Sequence, residues 1–198
     1  VPEQNQFKEV RILIMKNIIK LGLTLGLFAA VSCALLAVVN NWTAPIIEAS
    51  KSGKTADGLK TVFAEADSFE PVSGSPKSAG TTEINGVFSA LKGGEKIGTV
   101  VKATGATYDK STVLIGIDSN NKITGLVFLE NSDTPGFGQN AASSDYSTSK
   151  GTTFYGQFAG LDGSKDLKLG TDFEAVSGAT ITSKGVEAIV NNVLSIVR

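Results

Sequence analysis

The sequence predicts an α+β fold: one N-terminal transmembrane helix, then a single domain with an antiparallel β-rich core and a C-terminal amphipathic helix. Three observations carry this. From Leu21 to Val39 there are 19 residues without a charge. Between Gly86 and Leu129 apolar and β-branched residues cluster in short runs separated by turn residues. In the last stretch Val186, Ile189, Val190, Val193, Leu194 and Val197 recur at steps of three and four, which places them on one helical face.

Met15-Lys16-Asn17-Ile18-Ile19-Lys20 reads like a bacterial N-terminus, so residues 1–14 are expected to derive from an upstream start or an added segment. The run Leu21–Val39 spans about 28 Å as a helix, close to the roughly 30 Å hydrocarbon core of a bilayer. Arg11, Lys16 and Lys20 precede it, and the next charge after it is Glu48. The positive-inside bias therefore predicts a cytoplasmic N-terminus and an extracytoplasmic remainder. A cleaved signal peptide has a shorter core and a small-residue cleavage site, and Val38-Val39-Asn40 is a poor one. Cys33 lies inside the apolar run, which disfavours a lipoprotein signal. The expected organisation is a cytoplasmic segment over 1–20, a span over 21–40, a helical and loop connector over 41–82 and the domain over 83–198. Pro45 is expected in the first turn of a second helix, Leu59 to Phe63 are expected to pack on the domain, and Ser68 to Thr82 reads as a loop.

Strands are predicted at Gly86–Leu91, Ile97–Ala103, Thr112–Asp118 and Ile123–Leu129. The turn Ser119–Lys122 makes the last two a hairpin. That hairpin delivers Asp133-Thr134-Pro135-Gly136-Phe137-Gly138, which read alone is a Pro-Gly turn. Asn140 to Thr152 is a polar loop, and Leu167–Leu169 is read as a strand leading to Ser177. The segment Thr104–Thr107 is read as a loop between strands.

Composition excludes several chemistries. Lys plus Arg is 18 against 19 acids, a net charge of −1, so no basic surface argues for nucleic acid. Histidine is absent, which removes the usual nucleophile-activating base, zinc ligand and haem ligand. The single cysteine permits neither an intrachain disulfide nor a cluster ligated within the chain. No catalytic or metal-ligating set is predicted, and redox or transfer chemistry is expected to rest on a borrowed cofactor.

The stretch Glu174-Ala175-Val176-Ser177-Gly178-Ala179-Thr180-Ile181-Thr182-Ser183 is the candidate site. Small residues at Ser177, Gly178 and Ala179 let a bulky ligand approach the backbone. Thr182 or Ser183 is the expected N-cap of the following helix. Such a turn offers free N–H groups and a helix dipole to an anion. The same pattern also describes an ordinary capped C-terminal helix, the commoner case.

Ser-Gly-Ala-Thr followed by x-Thr-Ser, with an acid three residues before the serine, resembles the flavinylation motif of the FMN-binding family. That family includes the G subunit of the Rnf electron-transport complex and the C subunit of the Na⁺-translocating NADH:quinone oxidoreductase. The resemblance implies FMN bound covalently through a phosphoester to Thr180, installed from FAD by a separate Mg²⁺-dependent flavin transferase. The family has Asp where this chain has Glu174. It also carries Glu-Thr-Pro-Gly-Leu-Gly after a similar hairpin, so the resemblance implies that Asp133, Thr134 and Gly136 lie against the flavin; Asp133 and Phe137 replace the family's Glu and Leu. Ser177, Gly178, Ala179, Glu174, Thr182 and Ser183 complete the implied cofactor-binding set. Thr104-Gly105-Ala106-Thr107 also fits Ser/Thr-Gly-Ala-Thr, but lacks the preceding acid and the following helix.

The function implied is an electron-carrying component of an ion-translocating ferredoxin:NAD⁺ oxidoreductase of the Rnf type, in the bacterial cytoplasmic membrane with other membrane subunits as partners, not turning over alone. The short chain fits the G subunit better than the C subunit. Alternatives are a component of the C-subunit type, a free-standing membrane-anchored flavoprotein reductase, and a non-flavin binding module whose loop merely caps a helix.

Overall fold

The computed structural model describes residues 2–198; Val1 and the side chains of residues 2–10 and 12–14 lie outside the described residues, and with them most of the segment expected to derive from an upstream start. The chain divides between Ser50 and Lys51 into two compact units. The α+β class holds, with a long apolar helix, an antiparallel sheet and a C-terminal helix.

Helix α1 runs without interruption from Pro2 to Val62. Its apolar stretch is exposed all round, with Leu21, Leu23, Leu25, Leu27, Phe28, Leu35 and Leu36 uncovered by protein. An all-round apolar helix of this length suits a lipid environment. Pro45 lies inside the helix rather than at the start of a second one. An interior proline costs roughly 3 kcal/mol, yet the helix continues on both sides of it. The expected break after residue 40 is therefore absent, and the expected connector is helical as far as Val62.

The second unit is built on a six-stranded antiparallel sheet. Its strands are β1 (Ser68–Pro71), β2 (Ser78–Ala79), β3 (Thr82–Lys92), β4 (Glu95–Ala106), β5 (Lys110–Asp118) and β6 (Ile123–Asn131). The order is β1-β3-β4-β5-β6, with β2 pairing along β3. The four strands predicted from alternation all form. Ser68–Thr82 is not simply a loop, because β1 and β2 complete the edge of β3, with Phe69 opposite Ala90 and Ser78 opposite Glu83. Thr104 to Ala106 are likewise the end of β4 and pair with Thr112 to Lys110 of β5, not a loop.

Side-chain alternation gives the sheet two buried faces. Val101, Ala103, Val113, Ile115 and Ile117 face the second helix, α2 (Thr180–Val197), which buries Val186, Ile189, Val190, Val193 and Leu194 against them. Val100, Leu114 and Ala90 on the reverse face pack with Leu59, Val62 and Phe63 at the end of α1. The Thr124 hydroxyl donates to the Val62 carbonyl and fixes that helix end on β6.

Between β6 and α2 the chain crosses over through two short 3-10 turns, Gly138–Ala142 and Tyr155–Phe158. Phe154, Phe158 and Phe173 form a buried aromatic trio with centroids 4.6 to 6.0 Å apart. Leu167–Leu169 is not a strand: Leu169 makes one isolated bridge to Phe173, the Lys168 N–H donates to the Asp172 carboxylate, and side chains of α2 take the groups of Leu167 and Leu169. Asn191 accepts from the Leu167 N–H at 2.8 Å and donates to its carbonyl at 2.9 Å, and Glu187 accepts from the Leu169 N–H at 3.0 Å.

Close approach of α2 to the sheet depends on Gly185. A Cβ there would stand 2.5 Å from the Ala106 carbonyl oxygen and 2.6 Å from the Thr107 Cα. The helix-propensity gain of Gly185→Ala, about 1 kcal/mol, is set against overpacking on rigid backbone, about 1–3 kcal/mol. Gly185→Ala is therefore expected to lower the urea midpoint of the domain; a raised midpoint would show that α2 does not sit this close.

Candidate functional site

The helix that carries Thr180 begins earlier than its hydroxyl residues suggest. Thr180 is the first residue of α2, and Ala179 precedes it with no side-chain cap. Gly178 has φ +76°, a left-handed conformation that only glycine adopts without strain. The turn closes with the Ala179 N–H donating to the Val176 carbonyl at 3.0 Å. Neither expected N-cap residue serves as one. The Ser183 hydroxyl instead donates to the Ala179 carbonyl and accepts from the Val176 N–H, both at 3.0 Å, stapling the loop onto the first turn. Thr182 donates to Asp133 at 2.7 Å. With no capping side chain, the N–H groups of Thr180, Ile181 and Thr182 lack an intrahelical acceptor and point out of the helix end.

Asp133 gathers the site. It is 1% exposed. One carboxylate oxygen accepts from the Thr107 hydroxyl and the Asp109 N–H, both at 2.7 Å, and the other accepts from Thr182. The Asp133 N–H donates to the Asn131 side chain at 2.9 Å. The turn after β4, the loop after β6 and the first turn of α2 thus meet at one carboxylate. Gly138 is packed against this junction: a Cβ there would stand 2.6 Å from both the Asp133 Cβ and the Thr182 hydroxyl. Burial pushes the Asp133 carboxyl up; hydrogen bonds from Thr182, the Asp109 backbone, Thr107 and the Tyr108 backbone more than offset it, leaving the group below the ordinary carboxylate value.

These segments enclose a pocket of about 500 Å³ lined by Tyr108, Thr134, Phe137, Gly138, Gly178, Ala179, Thr180, Ile181 and Thr182. Thr180 is exposed in it, and Tyr108, Phe137 and Ile181 present 66%, 58% and 60% of their surfaces. Of the residues singled out by sequence, Thr180, Gly178, Ala179, Thr182 and Thr134 line the pocket. Asp133 and Ser183 are buried behind its wall rather than lining it. Ser177 is exposed and outside the lining, and Gly136 sits in the tight turn whose carbonyl accepts from Asn140 at 3.0 Å. Glu174 also stands apart, its carboxylate accepting from the Ser149 hydroxyl and its backbone bracketed by the Gln157 amide at 2.9 and 3.2 Å. Tyr108, Phe137, Gly138 and Ile181 line the pocket without belonging to the cofactor-binding set that the sequence marks. An aromatic residue just after a Ser/Thr-Gly-Ala-Thr run is the only sequence signal for Tyr108. Thr107, in that run, is buried and committed to Asp133 and Ser111.

The lowered carboxyl value sets a sign for acid behaviour. Ionised Asp133 stabilises the fold above the unfolded value of about 3.9, and this is lost as pH falls through the lower folded value. Asp133→Asn is expected to flatten this part of the acid dependence, read as urea midpoints between about pH 2.5 and 7. Parallel profiles for the two proteins would contradict the assignment.

Two family descriptions match separate parts of the chain: the FMN-binding domain over residues 108–195 and the RnfG N-terminal region over residues 12–62. Among whole-chain relatives, the G subunit of the Na⁺-translocating ferredoxin:NAD⁺ oxidoreductase complex of Acetobacterium woodii is 29% identical, covering 89% of each chain. The G subunit of the ion-translocating oxidoreductase complex of Methanosarcina acetivorans is 30% identical, covering 86% of this chain and 89% of the relative. The same-named protein of Salmonella typhi is 31% identical over 87% of each. With a long apolar N-terminal helix, an FMN-binding domain and relatives matched nearly end to end, the chain belongs to the RnfG family, the G subunits of ion-translocating oxidoreductase complexes.

Proposed function

We propose that the protein carries FMN in phosphoester linkage to Thr180 and passes electrons within a membrane complex that couples ferredoxin and NAD⁺ to ion movement. One observation carries the assignment of the site: the Thr180 hydroxyl stands exposed at an uncapped helix N-terminus, inside a pocket walled by two aromatic side chains.

The residues present fit such a group. Free N–H groups and the helix dipole at Thr180, Ile181 and Thr182 suit a phosphate. The exposed faces of Tyr108, Phe137 and Ile181 offer apolar and aromatic surface to a planar ring system. In attachment, the Thr180 oxygen bonds to the flavin-bearing phosphorus of FAD, the pyrophosphate linkage breaks, AMP leaves and the hydroxyl proton is lost. The family resemblance implies that a separate Mg²⁺-dependent flavin transferase runs this step. Bound FMN supplies reversible electron uptake; the chain supplies attachment, orientation and electrostatic surroundings. Ser177, Gly136 and Glu174 shape the loops that carry the lining residues, and Ser183 holds the turn beneath Thr180.

In this reading residues 1–20 are cytoplasmic, the span over 21–40 crosses the bacterial cytoplasmic membrane, and the flavin domain is extracytoplasmic. The charge asymmetry around the apolar run supports that orientation. A covalent bond keeps the cofactor on a domain that has no cytoplasmic pool to refill it. Further membrane subunits and the lipid bilayer complete the partners.

The test is fluorescence of the protein on a denaturing gel after co-expression with a flavin transferase. The wild-type chain and Thr107→Val are expected to fluoresce, and Thr180→Val to be dark. A fluorescent Thr180→Val chain would move the attachment elsewhere.

A further inference from the structure

Asp133 is the one charged side chain fully buried among the described residues, and no Lys or Arg pairs with it there. Burying a carboxylate without a cation is costly. Three donors at 2.7 Å meet that cost. An asparagine there would keep one acceptor oxygen and turn an amide N–H₂ toward Thr182, so the charge itself serves the junction. The same charge has a second consequence, set by its position.

The carboxylate lies directly behind the pocket wall. Thr182, which donates to it, lines the pocket. Thr134 is its neighbour in the chain, and Tyr108 lies between Thr107 and Asp109, both of which donate to it. Gly138, also in the lining, has no side chain to separate them. A fixed negative charge at this range opposes any gain of negative charge in the pocket, and burial leaves it little screened.

We infer that Asp133 is an electrostatic positioning residue whose buried negative charge, one hydrogen bond behind the pocket wall, holds the flavin at a low reduction potential. The inference rests on the carrier reading of Thr180. Electron uptake adds negative charge to the bound group, and the Asp133 carboxylate disfavours the reduced form. Its donors are neutral, so they stabilise the carboxylate without cancelling its charge. The same three bonds that build the pocket also set the field inside it.

The experiment is a spectroelectrochemical titration of the full-length chain in detergent, flavinylated on Thr180, at low and high salt. Wild type is compared with Asp133→Asn, which removes the charge, and Thr107→Val, which keeps the charge and removes one donor. Asp133→Asn is expected to titrate at a more positive potential, with the shift retained at high salt. Thr107→Val is expected to be unshifted or more negative. A merely structural role moves both variants in the same direction. Equal potentials for wild type and Asp133→Asn, or a positive shift in Thr107→Val, would overturn the inference while leaving the carrier reading intact. Should Asp133→Asn fail to acquire flavin, the sign of the Thr107→Val shift decides alone. Wild type that carries no flavin on Thr180 would sink both readings, and the mass of the chain distinguishes that case.

Discussion

Three hydrogen bonds to one buried carboxylate hold the site together. They tie the turn after β4 and the first turn of α2 to a loop that lies up to 49 positions away in the chain. Ordering loops costs about 1–2 kcal/mol per residue in backbone entropy, and neutral hydrogen bonds contribute only about 1 kcal/mol net. Charge-assisted bonds are roughly twice as strong, which is why a carboxylate suits this junction. Gly138 and Gly185 make it geometrically possible, the first by leaving room beside Asp133 and the second by letting α2 descend to the end of β4. Removing the junction frees three walls of the pocket at once.

The rest of the domain serves as a platform for that junction. The central strand β5 is buried on both faces, and α2 lies across one of them with five fully covered apolar residues. Because α2 is anchored along its length, its first residue is fixed in space although the hydroxyl it bears is exposed. Ser183 secures the approach from the other side, by closing the Val176–Ala179 turn with its own hydroxyl. An exposed hydroxyl is thus held on a well-anchored backbone, the arrangement that the proposed cofactor attachment at Thr180 would require. Membership of the RnfG family places this domain in an ion-translocating membrane complex, where a carrier must present its cofactor at fixed positions.

Patterns with a long period are readable from the residues, and those set by tertiary competition are not. The apolar run, the alternating strands β3 to β6 and the face of α2 each extend over enough residues for burial to dictate them. Strands β1 and β2 are only four and two residues long, and exist because β3 offers an edge to pair with. Leu167–Leu169 has strand-like residues but meets Asn191 and Glu187 rather than another strand. Pro45 marks a break by local rule, yet helix continues on both sides of it. At the site, Thr180, Gly178, Ala179, Thr182 and Thr134 follow from two short motifs. Tyr108 does not, since only the fold of β4 and β5 brings it there. Ser183 illustrates the limit of capping rules: its hydroxyl is structural, as its position suggests, but it bonds backward to the loop instead of capping the helix.

Asp133 shows the same limit most clearly: its loop reads alone as a Pro-Gly turn, and only the fold reveals a buried carboxylate behind the pocket lining. Hydrogen exchange at the Asp109 amide tests that placement most directly. Asp109 is exposed in a short turn, so its amide should exchange quickly unless the Asp133 carboxylate holds it. Strong protection of this amide is predicted in the wild-type chain, and its loss in Asp133→Ala. Exchange at the rate of an unprotected turn amide in the wild-type chain would contradict the placement, and would leave the pocket without the junction that defines its walls.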